Sequence, residues 1–218
     1  MTSSSTYKRD DLSIDQRLAL ATAARRLGEE FTGVFGAETI ERFLHTSYEQ
    51  FATKAAVANF LPLLAERFAR QRLHALARVE GKSDGRPIVL FLCVHNAGRS
   101  QMALGFFTHL AGEHAVGWSG GSEFASEINP AAVASMAEAG IDISREFPKP
   151  WTEEIVRAAD VVVTMGCGDA CPVYPGKRYL DWELEDPAGL SVEQVRPIRD
   201  EIERRVRALL AELNVPVP

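Results

Sequence analysis

The chain has 218 residues, of which 46% are hydrophobic and 25% charged, and its formal net charge is −6. This composition is typical of a soluble globular protein with one large domain or two small ones. Residues 1–85 carry 12 basic and 11 acidic side chains, whereas residues 86–218 carry 12 and 19. Neither part has the strongly basic balance of a nucleic-acid-binding protein, so nucleic acid is not an expected partner.

No apolar run approaches the roughly 18 residues that a membrane span requires, and the first residues are polar rather than a signal sequence. We therefore expect a cytoplasmic protein without a membrane partner. Three cysteines are too few for a disulfide framework, and in a reducing compartment cysteines are more often catalytic or redox-active. Their odd number suggests one nucleophile and one pair.

The first part of the chain has the apolar spacing of helices. A polar stretch at residues 1–11, expected to be a mobile tail, precedes Ser13 and Gln16, which are a candidate capping box. Apolar residues then repeat at helical intervals, with the first pattern continuing through Val34. Three helices are predicted, at about residues 13–36, 37–51 and 59–79. They predict a small three-helix bundle over residues 12–80, for which packing or dimerisation is the expected role.

Beyond a polar, glycine-containing linker predicted at residues 81–86, strand-like and helix-like stretches alternate through residues 87–218. The predicted strands cover residues 88–92, 116–119, 161–165 and 179–182. The predicted helices cover residues 99–111, 130–140, 152–159 and 191–213, with Asn129, Thr152 and Ser191 as caps and Pro197 expected to break or bend the last. The alternation predicts an α/β domain: a four-stranded parallel sheet with helices on both faces and ligands at the carboxyl ends of the strands.

A loop with reactive side chains follows the first predicted strand. Cys93 comes directly after five apolar residues, and Arg99 and Ser100 are the sixth and seventh residues after it. A loop of this length that closes onto the start of a helix can point its backbone N–H groups at one tetrahedral oxyanion. Gly98 is expected to relieve the steric limits on the turn. The predicted oxyanion-binding residues are Val94, His95, Asn96, Ala97, Gly98, Arg99 and Ser100.

The same loop predicts a nucleophile. Its N–H groups, the start of the helix and the Arg99 guanidinium all favour a thiolate at Cys93. Arg99 also presents a planar pair of donors to two oxygens of an anion. We expect Ser100 to donate its hydroxyl to the sulfur and Asn96 to tie the loop to itself. An inert, buried cysteine is the alternative, but the pattern favours a cysteine enzyme that acts on an oxyanion.

Two further cysteines follow the third predicted strand. Cys167 and Cys171 are separated by three residues, and Gly166 and Gly168 leave the backbone around Cys167 free to move. If the third strand neighbours the first, both cysteines emerge at the same edge of the sheet as Cys93. No second pair or convergent histidine accompanies them, so no metal is expected. Two unrelated structural thiols are the alternative to a dithiol that becomes a disulfide during turnover.

Asp186 is the candidate proton donor. It precedes Pro187 and follows the fourth predicted strand, whose end lies at the same edge of the sheet. An oxygen that leaves a tetrahedral oxyanion needs a proton, and a carboxyl near a thiolate can supply it. A solvated turn aspartate is the alternative, since Asp-Pro is a common turn pair.

Together these motifs resemble the low-molecular-weight protein tyrosine phosphatase superfamily. Within it, the loop sequence, the cysteine pair and the stretch around Asp186 are similar to those of thioredoxin-coupled arsenate reductases. The loop sequence is particularly similar to that of actinobacterial members, which often carry a three-helix bundle before the catalytic domain. The resemblance implies that Cys93 attacks arsenate held by Arg99 while Asp186 assists the departure of water. Cys167 would then form a disulfide with Cys93 and release arsenite, and Cys171 would convert it to a Cys167–Cys171 disulfide.

The resemblance also implies the partners. Thioredoxin would be the external reductant, no cofactor would be bound, and phosphate and sulfate would compete with arsenate. A homodimer through the bundle is a further expectation, and the biological role would be arsenic detoxification.

Three alternatives stay open at this point. A tyrosine phosphatase would need Cys93, Arg99 and Asp186 but neither Cys167 nor Cys171. An arsenate reductase that uses mycothiol and a mycoredoxin would need only Cys93. The third alternative is a non-catalytic oxyanion sensor whose bundle signals to a partner.

Overall fold

The computed structural model describes residues 12–52, 60–166 and 173–217. The chain divides into two compact units, the first ending at Lys82 and the second beginning at Ser83. Across these described ranges, no helix is both long enough and apolar enough to cross a membrane.

The described part of the first unit is built from helices that pack against one another pairwise. They are α1 (Ile14–Glu30), α2 (Ala37–Ala52) and α3 (Leu61–Val79). The predicted capping box is confirmed, because Ser13 Oγ accepts from the Gln16 N–H at 3.2 Å and Gln16 Oε1 accepts from the Ser13 N–H at 3.0 Å. Helix α1 ends before the apolar pattern does, because Gly33 takes a left-handed conformation (φ 76°) and turns the chain before Val34.

The described interior of this unit is mainly apolar, but it also contains two charged side chains, Glu66 and Arg72. Phe51 and Phe68 are buried, and their rings meet edge to face with centroids 5.6 Å apart. Glu66 is also buried, but its carboxylate accepts from Arg26 Nη2 at 2.6 Å and from Arg70 Nη2 at 3.0 Å. The apolar faces predicted from helical spacing therefore form the core, and the buried carboxylate is paired as burial requires.

The second unit contains a parallel sheet with the strand order β2-β1-β3-β4, which confirms the predicted fold class. Its strands are β1 (Ile88–Cys93), β2 (Val116–Gly121), β3 (Val161–Met165) and β4 (Arg178–Asp181). Strand β1 has β2 on one side and β3 on the other. The strand order thus reverses beside β1, and ligands of parallel sheets bind at the carboxyl end of such a point.

Both faces of β1 are buried. Val89, Phe91 and Cys93 belong to the cluster formed with the helices of one layer, while Leu90 and Leu92 are fully buried on the other face. The helices of this unit are α4 (Arg99–Ala111), α5 (Pro130–Glu138), α6 (Glu153–Ala158) and α7 (Val192–Glu212). Burial on both faces explains why β1 is recognisable as an unbroken apolar run.

The strand ends differ from the prediction because backbone pairing continues beyond the apolar pattern. Cys93, predicted to begin the loop, is the last residue of β1 and pairs with Gly121 and Met165. Strand β2 accordingly continues through two glycines. A Cβ at Gly121 would lie 2.6 Å from the carbonyl oxygen of Val94, so the close approach of two backbones requires glycine here. The fourth strand is the exception, because it both begins and ends one residue earlier than predicted, at Arg178 and Asp181.

Two expectations about helix starts differ from the structure. The break expected at Pro197 is absent, because α7 runs continuously from Val192 to Glu212 with Pro197 inside it. Proline removes one main-chain hydrogen bond near the helix start. The first turn is still stabilised by the Gln194 side chain, which accepts from the Ser191 N–H at 3.0 Å. The rest of the helix is stabilised by burial of its apolar face. Thr152 precedes α6, but its hydroxyl has no hydrogen-bond partner among the described residues and does not cap the helix.

The packing of α4 gives a stability prediction. A Cβ at Gly105 would come 2.7 Å from Ile143 Cγ2 and 3.0 Å from Met136 Cε, both buried. Alanine favours a helix over glycine by about 1 kcal/mol, but overpacking costs about 1–3 kcal/mol. We expect Gly105→Ala to lower the free energy of unfolding of the second unit by about 1 kcal/mol. Urea unfolding followed by fluorescence measures this, since all three tryptophans lie in this unit: Trp118, Trp151 and Trp182.

Gly28→Ala is the matched control. Gly28 lies in α1, and a Cβ there would meet nothing within 4 Å. This substitution should stabilise the first unit by up to about 1 kcal/mol, measured by circular dichroism. A second unit stabilised by Gly105→Ala would contradict the packing described for α4.

Candidate active site

The loop at the end of β1 is held by its carbonyl groups. We call residues 93–100 the oxyanion loop. Each of its five carbonyls from 94 to 98 accepts a hydrogen bond from outside it: Val94 from Glu123 N–H, His95 from Ala125 N–H, Asn96 from Gln101 Nε2, Ala97 from Asn129 N–H, and Gly98 from Met102 N–H. Since the carbonyl and N–H of a trans peptide point in opposite directions, N–H groups are left on the inner side of the loop. Such a concave row of donors is suited to an anion.

Cys93 lies at the base of the oxyanion loop and is 2% exposed. Its Sγ accepts from the Asn96 N–H at 3.2 Å and lies 3.0 Å from Ser100 Oγ. Asn96 Nδ2 donates to the same hydroxyl at 2.8 Å, which leaves the Ser100 proton free to point at the sulfur. Two donors can therefore face the sulfur, as a nucleophilic thiolate requires.

Asn96 is the internal brace of the loop. Its side chain is fully buried, and besides donating to Ser100 it accepts at Oδ1 from the Lys149 N–H at 3.0 Å and from Gln101 Nε2 at 3.1 Å. It also takes the left-handed conformation, with φ 49°, which asparagine tolerates better than most residues. The prediction that Asn96 ties the loop to itself agrees with these bonds.

Gly98 is required by a contact with a segment far away in the sequence. Its φ is −126°, outside the left-handed region. A Cβ at this position would lie 2.5 Å from Pro187 Cγ, so glycine is required for the contact between the oxyanion loop and the segment after β4. That contact brings Asp186 to the mouth of the loop.

Arg99 and Asp186 form an ion pair at this mouth. Arg99 Nη2 donates to Asp186 Oδ2 at 2.7 Å, and Nη1 donates to the Leu184 carbonyl at 3.4 Å. The Arg99 side chain is 10% exposed and that of Asp186 is 49% exposed. A bound oxyanion would compete with Asp186 for the guanidinium, so the Asp186 carboxyl lies within reach of any anion that Arg99 holds.

Cys167 and Cys171 lie outside the described residues. The residues leading to them are described: Met165 pairs with Cys93 across the sheet, and Gly166 follows with φ 75°. A Cβ at Gly166 would lie 3.1 Å from Arg99 Nη1. The predicted adjacency of the first and third strands is therefore confirmed, and the chain leaves β3 beside the guanidinium.

Sequence reasoning missed Gln101 and Lys149. Gln101 is fully buried, and its Nε2 lies 3.1 Å from two oxygens of Asn96 and from the Phe147 carbonyl. Lys149 is 3% exposed, and its main chain connects Asn96 to Gly121 of β2. A glutamine among apolar residues at the start of a helix was the available signal for Gln101, whereas nothing local marked Lys149.

Comparison with known proteins agrees with this geometry. Residues 20–77 match the model "Protein-tyrosine-phosphatase-like, N-terminal domain". The solved structure of Corynebacterium glutamicum thioredoxin-dependent arsenate reductase Cg_ArsC1' is 48% identical, with a TM-score of 0.80, and the match covers 89% of this chain and 96% of that one.

Two curated relatives match over more than half of this chain. The glutaredoxin arsenate reductase of Synechocystis is 41% identical over 58% of this chain and 98% of its own length. The putative arsenate reductase of Halobacterium salinarum is 37% identical over 57% of this chain and 91% of its own. Residues 88–217, more than half of the chain, match the model of the low molecular weight phosphotyrosine protein phosphatase family. The chain therefore belongs to that family.

Proposed function

We propose that this chain reduces arsenate to arsenite, with Cys93 as the nucleophile, Cys167 and Cys171 as the relay, and thioredoxin as the electron donor. One observation carries the proposal: β1 and β3 are neighbours in a register that pairs Cys93 with Met165. Cys167 follows two residues later in the sequence. A phosphatase needs the oxyanion loop and Asp186 but no second cysteine, whereas a cysteine that follows the neighbouring strand in the sequence suits redox chemistry.

The first step is nucleophilic. Arsenate takes the place of the Asp186 carboxylate on Arg99. Its oxygens accept hydrogen bonds from the inward N–H groups of the oxyanion loop. The Cys93 thiolate attacks arsenic, an S–As bond forms, and one As–O bond breaks. Asp186 takes up a proton when arsenate displaces its carboxylate from Arg99, and it gives that proton to a hydroxyl oxygen of arsenate, which leaves as water. Arsenic is still pentavalent at this stage.

The second step is the reduction. The Cys167 thiolate attacks Cys93 Sγ, the S–As bond breaks, and its electron pair stays with arsenic, which leaves as trivalent arsenite. Two thiols have then become one disulfide, which balances the two electrons. Attack by Cys171 on Cys167 releases the Cys93 thiolate and forms the Cys167–Cys171 disulfide, which the thioredoxin dithiol reduces.

The names of the relatives support this choice of substrate and reductant. Cg_ArsC1' is described as thioredoxin-dependent, whereas the Synechocystis relative is described as a glutaredoxin arsenate reductase. Similarity to Cg_ArsC1' extends over both units of this chain, and similarity to the Synechocystis protein covers about half of it. We therefore assign thioredoxin as the reductant.

Cysteine variants test the order of the relay. With reduced protein in excess over arsenate and no thioredoxin, Cys93→Ser should release no arsenite, because the nucleophile is absent. Cys167→Ser should also release none, but mass spectrometry should find arsenic on Cys93. Cys171→Ser should release arsenite once and accumulate a Cys93–Cys167 disulfide. Wild-type turnover with thioredoxin, thioredoxin reductase and NADPH is the control, and an arsenite yield independent of Cys167 would contradict the relay.

Competition by phosphate tests the oxyanion loop. Phosphate has the shape and charge of arsenate, so it should raise the KM for arsenate without changing kcat. Arg99→Lys removes the planar pair of donors but keeps the charge. We expect it to raise the arsenate KM and the phosphate inhibition constant together, by about tenfold. Steady-state kinetics at several phosphate concentrations measure both, and non-competitive inhibition would place the phosphate outside the loop.

A homodimer through the helical unit remains a prediction. Ile14, Leu18 and Leu63 are apolar and more than half exposed, with relative accessibilities of 80%, 68% and 52%. Leu18 and Leu63 line a groove between α1 and α3. Sedimentation equilibrium of the full chain tests the prediction: Leu18→Arg should dissociate a dimer that uses this face, and a wild-type monomer at micromolar concentration would contradict it.

A further inference from the structure

The peptide group between Pro187 and Ala188 is hydrogen-bonded at both of its ends. Its carbonyl oxygen accepts from Asn129 Nδ2 at 3.0 Å, and also from the Leu190 N–H at 3.2 Å. Its N–H donates to Asp186 Oδ1 at 3.0 Å. Because a peptide group is planar and rigid, a side chain on a distant segment controls the orientation of the Asp186 carboxylate.

Asn129 is itself fixed to the oxyanion loop. Its backbone N–H donates to the Ala97 carbonyl at 2.9 Å. Its Oδ1 accepts from the N–H groups of Ala131 and Ala132, at 2.8 and 3.2 Å, and so caps α5 as predicted. The amide nitrogen is the part of the side chain that the cap does not use. Asn129 therefore connects the loop that receives the anion to the segment that carries the acid.

The orientation of Asp186 follows from this connection. The Ala188 N–H holds Oδ1, which leaves Oδ2 as the oxygen turned toward Arg99, at 2.7 Å from Nη2. When Arg99 holds an oxyanion, Oδ2 is the carboxyl oxygen nearest to it. Donation by Asn129 to the peptide carbonyl also polarises the peptide and strengthens its N–H as a donor to Oδ1.

We propose that Asn129 is a positioning residue for arsenate reduction. Acting through the Pro187–Ala188 peptide, it holds the Asp186 carboxyl over the oxyanion loop, so that Oδ2 can give its proton to the oxygen that leaves arsenic as water. This inference rests on the proposed function, and its effect falls on the first chemical step rather than on the relay.

Two substitutions separate this role from the helix cap. Asn129→Asp has the same shape and keeps an oxygen acceptor for the α5 cap, but it has no amide donor for Pro187. Asn129→Ser also keeps a capping oxygen, and its short side chain cannot reach Pro187. Asn129→Ala loses both interactions. Thermal unfolding followed by circular dichroism should place the Asp and Ser variants close to wild type and the Ala variant below them.

The rate of the first step is the main measurement. Reduced protein in excess over arsenate, without thioredoxin, is followed by arsenite release in a single turnover. All three variants should be slower than wild type by about threefold to tenfold at saturating protein concentration. The protein concentration for half-maximal rate should stay within about twofold, because the donors of the oxyanion loop are unchanged.

A double-mutant cycle with Asp186→Asn tests whether Asn129 acts through Asp186. Asp186→Asn alone should slow the single turnover by about a hundredfold. Adding Asn129→Ser to it should slow the reaction no further, since the acid to be positioned is absent. In ¹⁵N-labelled protein, Asn129→Ser and Asn129→Asp should both move the Ala188 amide proton resonance upfield, because its hydrogen bond to the carboxylate weakens.

The outcomes are distinct. Wild-type rates in the Asp and Ser variants would overturn the positioning role. It would also be overturned if Asn129→Ser slowed the Asp186→Asn variant by the same factor as it slows the wild type. A slow rate confined to the Ala variant would assign Asn129 to the helix cap alone. No arsenite from wild-type protein would overturn the proposed function itself, and the positioning role with it.

Discussion

The site depends on one constraint: the carbonyl groups of the oxyanion loop are satisfied from outside the loop. Three of those bonds come from the backbone that follows β2, and the others come from the start of α4. Buried main-chain carbonyls must find donors, and when neighbouring segments supply them the loop cannot turn its peptides around. The inward N–H groups are thus a consequence of how the rest of the unit is bonded to the loop.

The neighbouring segments can supply these bonds because the sheet brings them there. Strand β1 lies between β2 and β3, and Cys93 pairs with Gly121 and Met165. Close approach then limits the residue types. Gly121 lies against the Val94 carbonyl, Gly98 against Pro187, and Gly166 against Arg99. At each of these contacts a Cβ would displace either the loop or the side chains around its mouth.

Polar side chains around the loop each make several bonds. Asn96 holds Ser100, which faces the nucleophile, and is itself held by Gln101 and the main chain of Lys149. Asn129 caps a helix, bonds the loop and reaches the acid segment. Buried polar groups that satisfy one another rigidify a site, and this network borders Cys93 and reaches the segment that carries Asp186.

The sequence alone was sufficient for the fold class and for the approximate locations of the helices and strands, and it singled out Cys93, Arg99 and Asp186, which the structure places around one loop. Helices and strands can be located because burial of one or two of their faces leaves a periodic apolar pattern in the sequence. The oxyanion loop can be located because the spacing from Cys93 to Arg99 and Ser100 is a property of a short continuous segment. Tertiary structure decided the rest. The glycines that extend β2, the continuity of α7 across Pro197 and the hydrogen bond from Asn129 to Pro187 all depend on contacts between segments far apart in sequence. Local sequence patterns do not predict which backbone approaches which side chain, because these contacts form only when the helices and the sheet pack together.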